Sequence, residues 1–113
     1  MAQDQLFLLS APFEDGPGEM WFCTDCATME GVLLANPHWL DYINVHRCAF
    51  PRPRAEIIDL LGEDNQGMPV LVLTNSEKAP AAAERSNGYA FLTAPKEIAR
   101  YLVKTYGGAG PHP

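Results

Sequence analysis

The chain has 113 residues, with eight Lys or Arg against 14 Asp or Glu, and a net charge of −6. Its 47% hydrophobic and 19% charged residues suit one packed domain and exclude wholesale disorder. The acidic balance repels nucleic acid, and no apolar run nears the roughly 18 residues of a membrane span, so neither nucleic acid nor membrane is an expected partner. The stretch Met1 to Gln5 has no basic segment, and the apolar run Leu6 to Leu9 is too short for a signal peptide, which predicts a cytoplasmic protein.

Gln5 to Ser10 is a continuous apolar run and reads as a strand buried on both faces. Ala11 to Gly18, with two Pro, two Gly and two acids, reads as loop. Met20-Trp21-Phe22 leads into Cys23. From there Cys26, Met29, Val32, Leu33 and Leu34 fall at helical spacing, and Pro37 ends that helix near Asn36. His38 and Trp39 form a packed connection.

Tyr42 to Phe50, β-branched and aromatic, predicts the second strand. A second helix is expected from about Pro53 to Leu61, with Ile57, Ile58, Leu60 and Leu61 as its stripe and Gly62 as its C-cap. Met68 to Thr74 reads as a Pro-led strand. Asn75 to Gly88 is polar and Ala-rich and reads as the most mobile segment. Tyr89 to Leu92 is a short strand, and Thr93 is the expected N-cap of a helix begun at Pro95. Ile98, Tyr101, Leu102 and Thr105 recur at i, i+3, i+4 and i+7. Gly107-Gly108 closes that helix, and Ala109 to Pro113 reads as a frayed tail.

The order is thus β-α-β-α-β-β-α in a single domain with a core over 5–107 and a tail over 108–113. Two strands joined through a helix are parallel, and the last two can pair antiparallel. The expected architecture is α/β, a four-stranded mixed sheet flanked by helices.

Three cysteines are too few for a disulfide scaffold. Cys23 and Cys26 are spaced C-x-x-C, which in a cytosolic chain points to a redox pair or half of a metal site. The first turn of a helix leaves backbone N–H groups without partners and carries partial positive charge. A thiol at its N-cap would have its thiolate stabilised there, and a second thiol one turn later shares its face. Cys23 is therefore the candidate nucleophile and Cys26 the resolving thiol. Asp25 between them works against a thiolate.

A C-x-x-C pair opening the first helix of such a unit resembles the thioredoxin-like superfamily, in its glutaredoxin-type minimum, from about Gln5 to Gly107. Met68-Pro69 stands where that superfamily carries a cis-proline facing the cysteines. The run Pro69 to Leu73 with Ile98 to Leu102 and Tyr106-Gly107 is similar to the N-terminal half of glutathione S-transferases. Cys23-x-x-Cys26 with Glu30-Gly31, Pro51-Arg52-Pro53-Arg54, and Asn65-Gln66 with Pro69 resemble an uncharacterised family of small bacterial thioredoxin-like proteins. The resemblance implies a thiol–disulfide oxidoreductase that needs no cofactor, with a protein disulfide or a small thiol such as glutathione as its partner. A cis Pro69 would leave the backbone of Met68 free to pair with an extended peptide or glutathione. Trp21 and Thr24, beside Cys23, complete the candidate substrate-binding set with Met68 and Pro69. Where the transferases carry an acidic-serine pair for the γ-glutamyl group, this chain has Thr93-Ala94, and their helical second domain is absent.

Two other readings stay open. One is a thioredoxin-like binding module that has lost turnover and holds a peptide between Pro69 and the first helix. The other is a metal-bound structural variant: Cys48 ends the second strand, on the edge where Cys23 and Cys26 lie, and His46 shares its face, so the four could supply zinc ligands. Arg52 and Arg54 flank the second helix and could attract an anion there or stand solvated.

Overall fold

The apolar runs become the centre of one sheet. In a computed structural model of the chain, which describes residues 3–113, β1 (Asp4–Leu9) pairs in parallel with β4 (Ile43–Cys48) and antiparallel with β5 (Val70–Leu73). Next in order come β7 (Tyr89–Leu92) and, at the edge, β6 (Glu84–Ser86), both in antiparallel pairings. The register Leu9↔Cys48 brings the C-terminal ends of β1 and β4 to the same edge. No helix among the described residues is long and apolar enough to cross a membrane.

The α/β sheet has five strands rather than the expected four. The extra strand, β6, comes from within the polar segment 75–88. Asn87 (φ +52°) and Gly88 (φ +85°) make a two-residue turn that folds Ser86 back onto Tyr89. That turn requires positive φ at both positions, which Asn-Gly tolerates. Glu84 and Arg85 are exposed, so β6 lacks the apolar signal that marks the central strands.

A second correction lies in the loop after β1. It holds a small antiparallel ribbon, β2 (Phe13–Glu14) with β3 (Met20–Trp21), in the register Phe13↔Trp21 and Glu14↔Met20. Strands of two residues leave too little periodicity to read in sequence.

Three helices flank the sheet: α1 (Thr24–Ala35), α2 (Ala55–Leu61) and α3 (Pro95–Tyr106). Cys26, Met29 and Leu33 of α1 and Ile98 and Leu102 of α3 pack with Leu6, Leu8, Ile43, Leu71 and Leu73 on one sheet face. Ile57 and Leu61 of α2 pack with Phe7, Val70, Val72 and Phe91 on the other. The odd–even alternation of β1 divides these two cores. Leu34, expected in the stripe of α1, is 84% exposed, one position off its buried face. Trp39 is fully buried in the 3₁₀ turn Pro37–Asp41, and Tyr101 and Tyr106 are partly buried against the first core.

Helix ends differ from the sequence reading in two places. α2 starts at Ala55, capped by Arg54, and α3 is capped by Ala94 rather than Thr93, without a side-chain cap hydrogen bond. The chain after α3 is not frayed at its start. The Asn36 side chain donates to the Val32 and Ala109 carbonyls and accepts from the Ala109 amide. The Trp39 indole donates to the Gly107 carbonyl at 2.8 Å. Gly108 has φ +117°, and a Cβ there would collide with Asn36 Oδ1, so this position takes only glycine.

Candidate functional site

Cys23 is the N-cap residue of α1, with extended backbone (φ −78°, ψ 120°), and its Sγ accepts the Cys26 amide at 3.1 Å. The sulfur thus occupies the place where an N-cap side chain usually puts an oxygen. The same sulfur faces the Met68 carbonyl at 4.0 Å. The Met68–Pro69 peptide bond is cis, as are Ala11–Pro12 and Arg52–Pro53. Met68 and Pro69 lead into β5, the strand beside β1, and this places them across from the start of α1.

Cys26 lies one turn on and faces inward. It is buried, and its Sγ accepts the Leu9 amide from the end of β1 at 3.4 Å. Burial pushes the Cys26 thiol up to about 12, and its hydrogen bond with Cys23 adds to that while the Leu9 amide opposes it. Asp25 contributes in the same raising direction. The pair therefore divides into one half-buried and one enclosed sulfur, both free thiols. The half-buried sulfur can meet a partner; the enclosed one can reach only its neighbour.

The chain entering Cys23 presents an apolar rim to solvent. Met20, Trp21 and Phe22 are 57%, 50% and 63% exposed, so these residues are surface and not core. The Trp21 indole donates to the Asp15 carbonyl at 2.8 Å and fixes the ribbon's turn. Thr24 is exposed in the first turn, where its carbonyl accepts the Thr28 hydroxyl.

Phe13 and Phe50, which sequence reasoning did not single out, hold this edge together with Arg54. Phe13 of β2 stacks on Phe50 at 4.5 Å with an interplanar angle of 3°. The Arg54 guanidinium lies 5.5 Å from the Phe50 ring centroid. Arg54 is buried and donates to the Phe50 and Gln66 carbonyls, while its amide donates to the Gln66 side chain. It is not a solvated residue: it is buried, and three of its guanidinium N–H groups go to backbone carbonyls. An aromatic among the acids of the Ala11–Gly18 loop was the one available signal for the stack.

The four candidate zinc ligands are not brought together. Cys48 and His46 do end β4 at the cysteine edge, but they face the other side of the sheet, with Cys48 in the core beneath α2. The Cys48 thiol donates to Glu56 at 3.4 Å, and His46 stacks on Phe7 at 4.6 Å and pairs with the Gln5 side chain. Burial, then Glu56, pushes the Cys48 thiol up to about 11. No group of three or more His, Cys, Asp or Glu among the described residues could hold a metal ion.

No curated protein matches the chain, and no solved structure does. A family described as a protein of unknown function (DUF3088) matches residues 3–110. The match spans nearly the whole chain, and the protein belongs to that family.

Proposed function

We propose that the chain is a thioredoxin-like thiol–disulfide oxidoreductase in which Cys23 attacks and Cys26 resolves. One observation carries the reading: a half-buried sulfur capping α1, opposite the carbonyl that precedes Pro69, with a second, buried sulfur one turn behind it. At the helix N-terminus the Cys26 N–H donates to Cys23 Sγ, which fixes the sulfur at the open end of α1.

The reaction balances without a cofactor. The Cys23 thiolate attacks one sulfur of a substrate disulfide, forming a mixed disulfide and expelling the other sulfur as a thiolate that takes a proton. Cys26, on losing its proton, attacks Cys23 Sγ. The Cys23–Cys26 bond forms, the second substrate thiol leaves, and the protein is oxidised by two electrons. A small dithiol reductant returns the pair to its reduced form. The step that carries the cost is deprotonation of Cys26, because its environment is apolar.

The test is reduction of an insulin-type protein disulfide with a dithiol as electron donor. The expected result is turnover that Cys23→Ser abolishes, with Cys26→Ser arrested at a mixed disulfide on Cys23 visible by mass. A protein whose rate equals that of the dithiol alone, with Cys23 inert to alkylation at neutral pH, would instead be a binding module that keeps the groove without the chemistry.

A further inference from the structure

We infer that the substrate of this site is a polypeptide disulfide flanked by apolar and basic side chains, and not oxidised glutathione. The inference rests on the redox reading above and names the substrate class of the same two sulfurs.

Two observations carry it. The first is the rim: Met20, Trp21 and Phe22 are consecutive, immediately precede Cys23, and are each at least half exposed. Apolar side chains left in water beside a reactive sulfur gain by being covered when the substrate sulfur arrives. A tripeptide whose atoms are mostly polar and charged cannot cover them. A polypeptide with apolar residues beside its disulfide can.

The second is charge. The sequence holds no Lys or Arg before Arg47. Glu14, Asp15 and Glu19 lie on the ribbon, and Asp25 lies in the first turn of α1. All four are exposed, and the ion pairs among the described residues, Arg47–Glu30 and Arg100–Glu97, involve none of them. On the facing loop Arg54 is turned to the Phe50 and Gln66 carbonyls, which leaves Arg52, and Lys96 at the start of α3 near Thr28, as the exposed cations to set against these four acids. The side-chain charge on the segments flanking Cys23 is therefore negative on balance, four acids against two cations. It attracts a cationic chain and repels oxidised glutathione, whose carboxylates outnumber its ammonium groups.

The experiment compares initial rates of dithiol-driven reduction for four disulfides. Two are peptides of one sequence with Leu beside the disulfide and either Lys or Glu outside it. The third is oxidised glutathione, and the fourth is bis(2-hydroxyethyl) disulfide, a neutral reference for thiol reactivity. The Lys peptide is expected to exceed the Glu peptide and glutathione by at least about tenfold at low salt. That margin should shrink at 1 M salt, where the screening length falls to about 3 Å. Replacing Leu by Ser in the Lys peptide should cost about tenfold. In Trp21→Ala/Phe22→Ala, the ratio of the Lys–Leu peptide rate to the reference rate should fall. Equal rates for the two peptides, a margin indifferent to salt, or glutathione as the best substrate would overturn the inference while leaving the redox reading intact. No reduction of any of the four, the neutral reference included, would bring both down.

Discussion

The two ends of α1 are capped by side chains put to opposite uses. At the N-terminus, Cys23 accepts a single N–H, from Cys26, and its sulfur remains within reach of a partner. At the C-terminus, Asn36 is buried and makes three hydrogen bonds, two of which hold the chain beyond α3. The first cap leaves capacity for chemistry. The second uses both of its N–H donors and its oxygen to hold α1 and the C-terminal segment in one arrangement. A helix whose far end is clamped this way presents its first turn on a rigid support, which is what a reacting sulfur at that turn requires.

The largest effect should come at the open cap. Brief alkylation of the native reduced protein at pH 8 should modify Cys23 alone, because Cys26 and Cys48 are buried and their thiols are held up to about 12 and about 11. Peptide mapping after the reaction checks this. Equal labelling of Cys23 and Cys26 would erase the distinction between an attacking and an enclosed sulfur. In denaturant all three should react.

At the clamped cap the readout is stability, not chemistry. Asn36→Leu removes three hydrogen bonds and leaves the Val32 carbonyl and both Ala109 backbone groups to find water, at a cost of about 2–3 kcal/mol. Gly108→Ala forces a side chain into a left-handed conformation and against Asn36 Oδ1, at about 1–3 kcal/mol. Urea unfolding measures both. Because the two residues touch, their effects should not add in the double variant. Additive losses would mean that Gly108 acts through its own backbone and not through the clamp.

Much of this was legible in the sequence, for identifiable reasons. The runs Leu6 to Leu9 and Val70 to Leu73 are central strands and carry a continuous apolar signal. Cys23, Asn36 and Pro37 bound α1 through local chemistry that needs no tertiary context. The sheet edge that holds Cys48 followed from parallel pairing, but its face did not. Face depends on parity along β4, and the parity was readable only in hindsight from Ile43, which packs on the α1 side. Arg54 was misread, and the side chain of Asn36 went unread, for a different reason. Their roles come from backbone carbonyls at Phe50, Gln66 and Ala109, distant acceptors that no side-chain pattern announces.

Alkaline pH separates the buried thiols from the open one by thermodynamics. In the unfolded chain Cys26 and Cys48 ionise near 9.0, and in the folded chain they hold their protons to about 12 and about 11. Between those values the folded state binds more protons, so stability falls as pH rises. The contribution is fully present below pH 9 and is lost as pH climbs through 11 and 12. Tyr101 and Tyr106, raised by burial and then by Asp4, act in the same direction. The urea midpoint of the reduced protein should therefore decline above pH 9, and Cys48→Ala should flatten part of that decline. A midpoint unchanged from pH 9 to 11 would mean that these thiols are solvated in the folded state.

The smallest effect lies midway along α1. Glu30 accepts two hydrogen bonds from Arg47 of β4, at 2.8 and 2.7 Å, so that the pair ties the middle of the helix to the sheet edge. The geometry is bidentate, yet the side chains are 40% and 50% exposed, and water screens the charges. The Arg47 guanidinium holds the Glu30 carboxyl below its usual range, so the pair's contribution is present at neutral pH and lost as pH falls through the lowered value. A double-mutant cycle on Glu30→Gln and Arg47→Gln should give a coupling of about 0.5 kcal/mol at pH 7, shrinking in high salt and vanishing in acid. A coupling comparable to the Asn36 loss would shift the anchoring of α1 from its C-terminal clamp to its centre, and Cys23 would then depend on a salt-sensitive tie rather than on a buried amide.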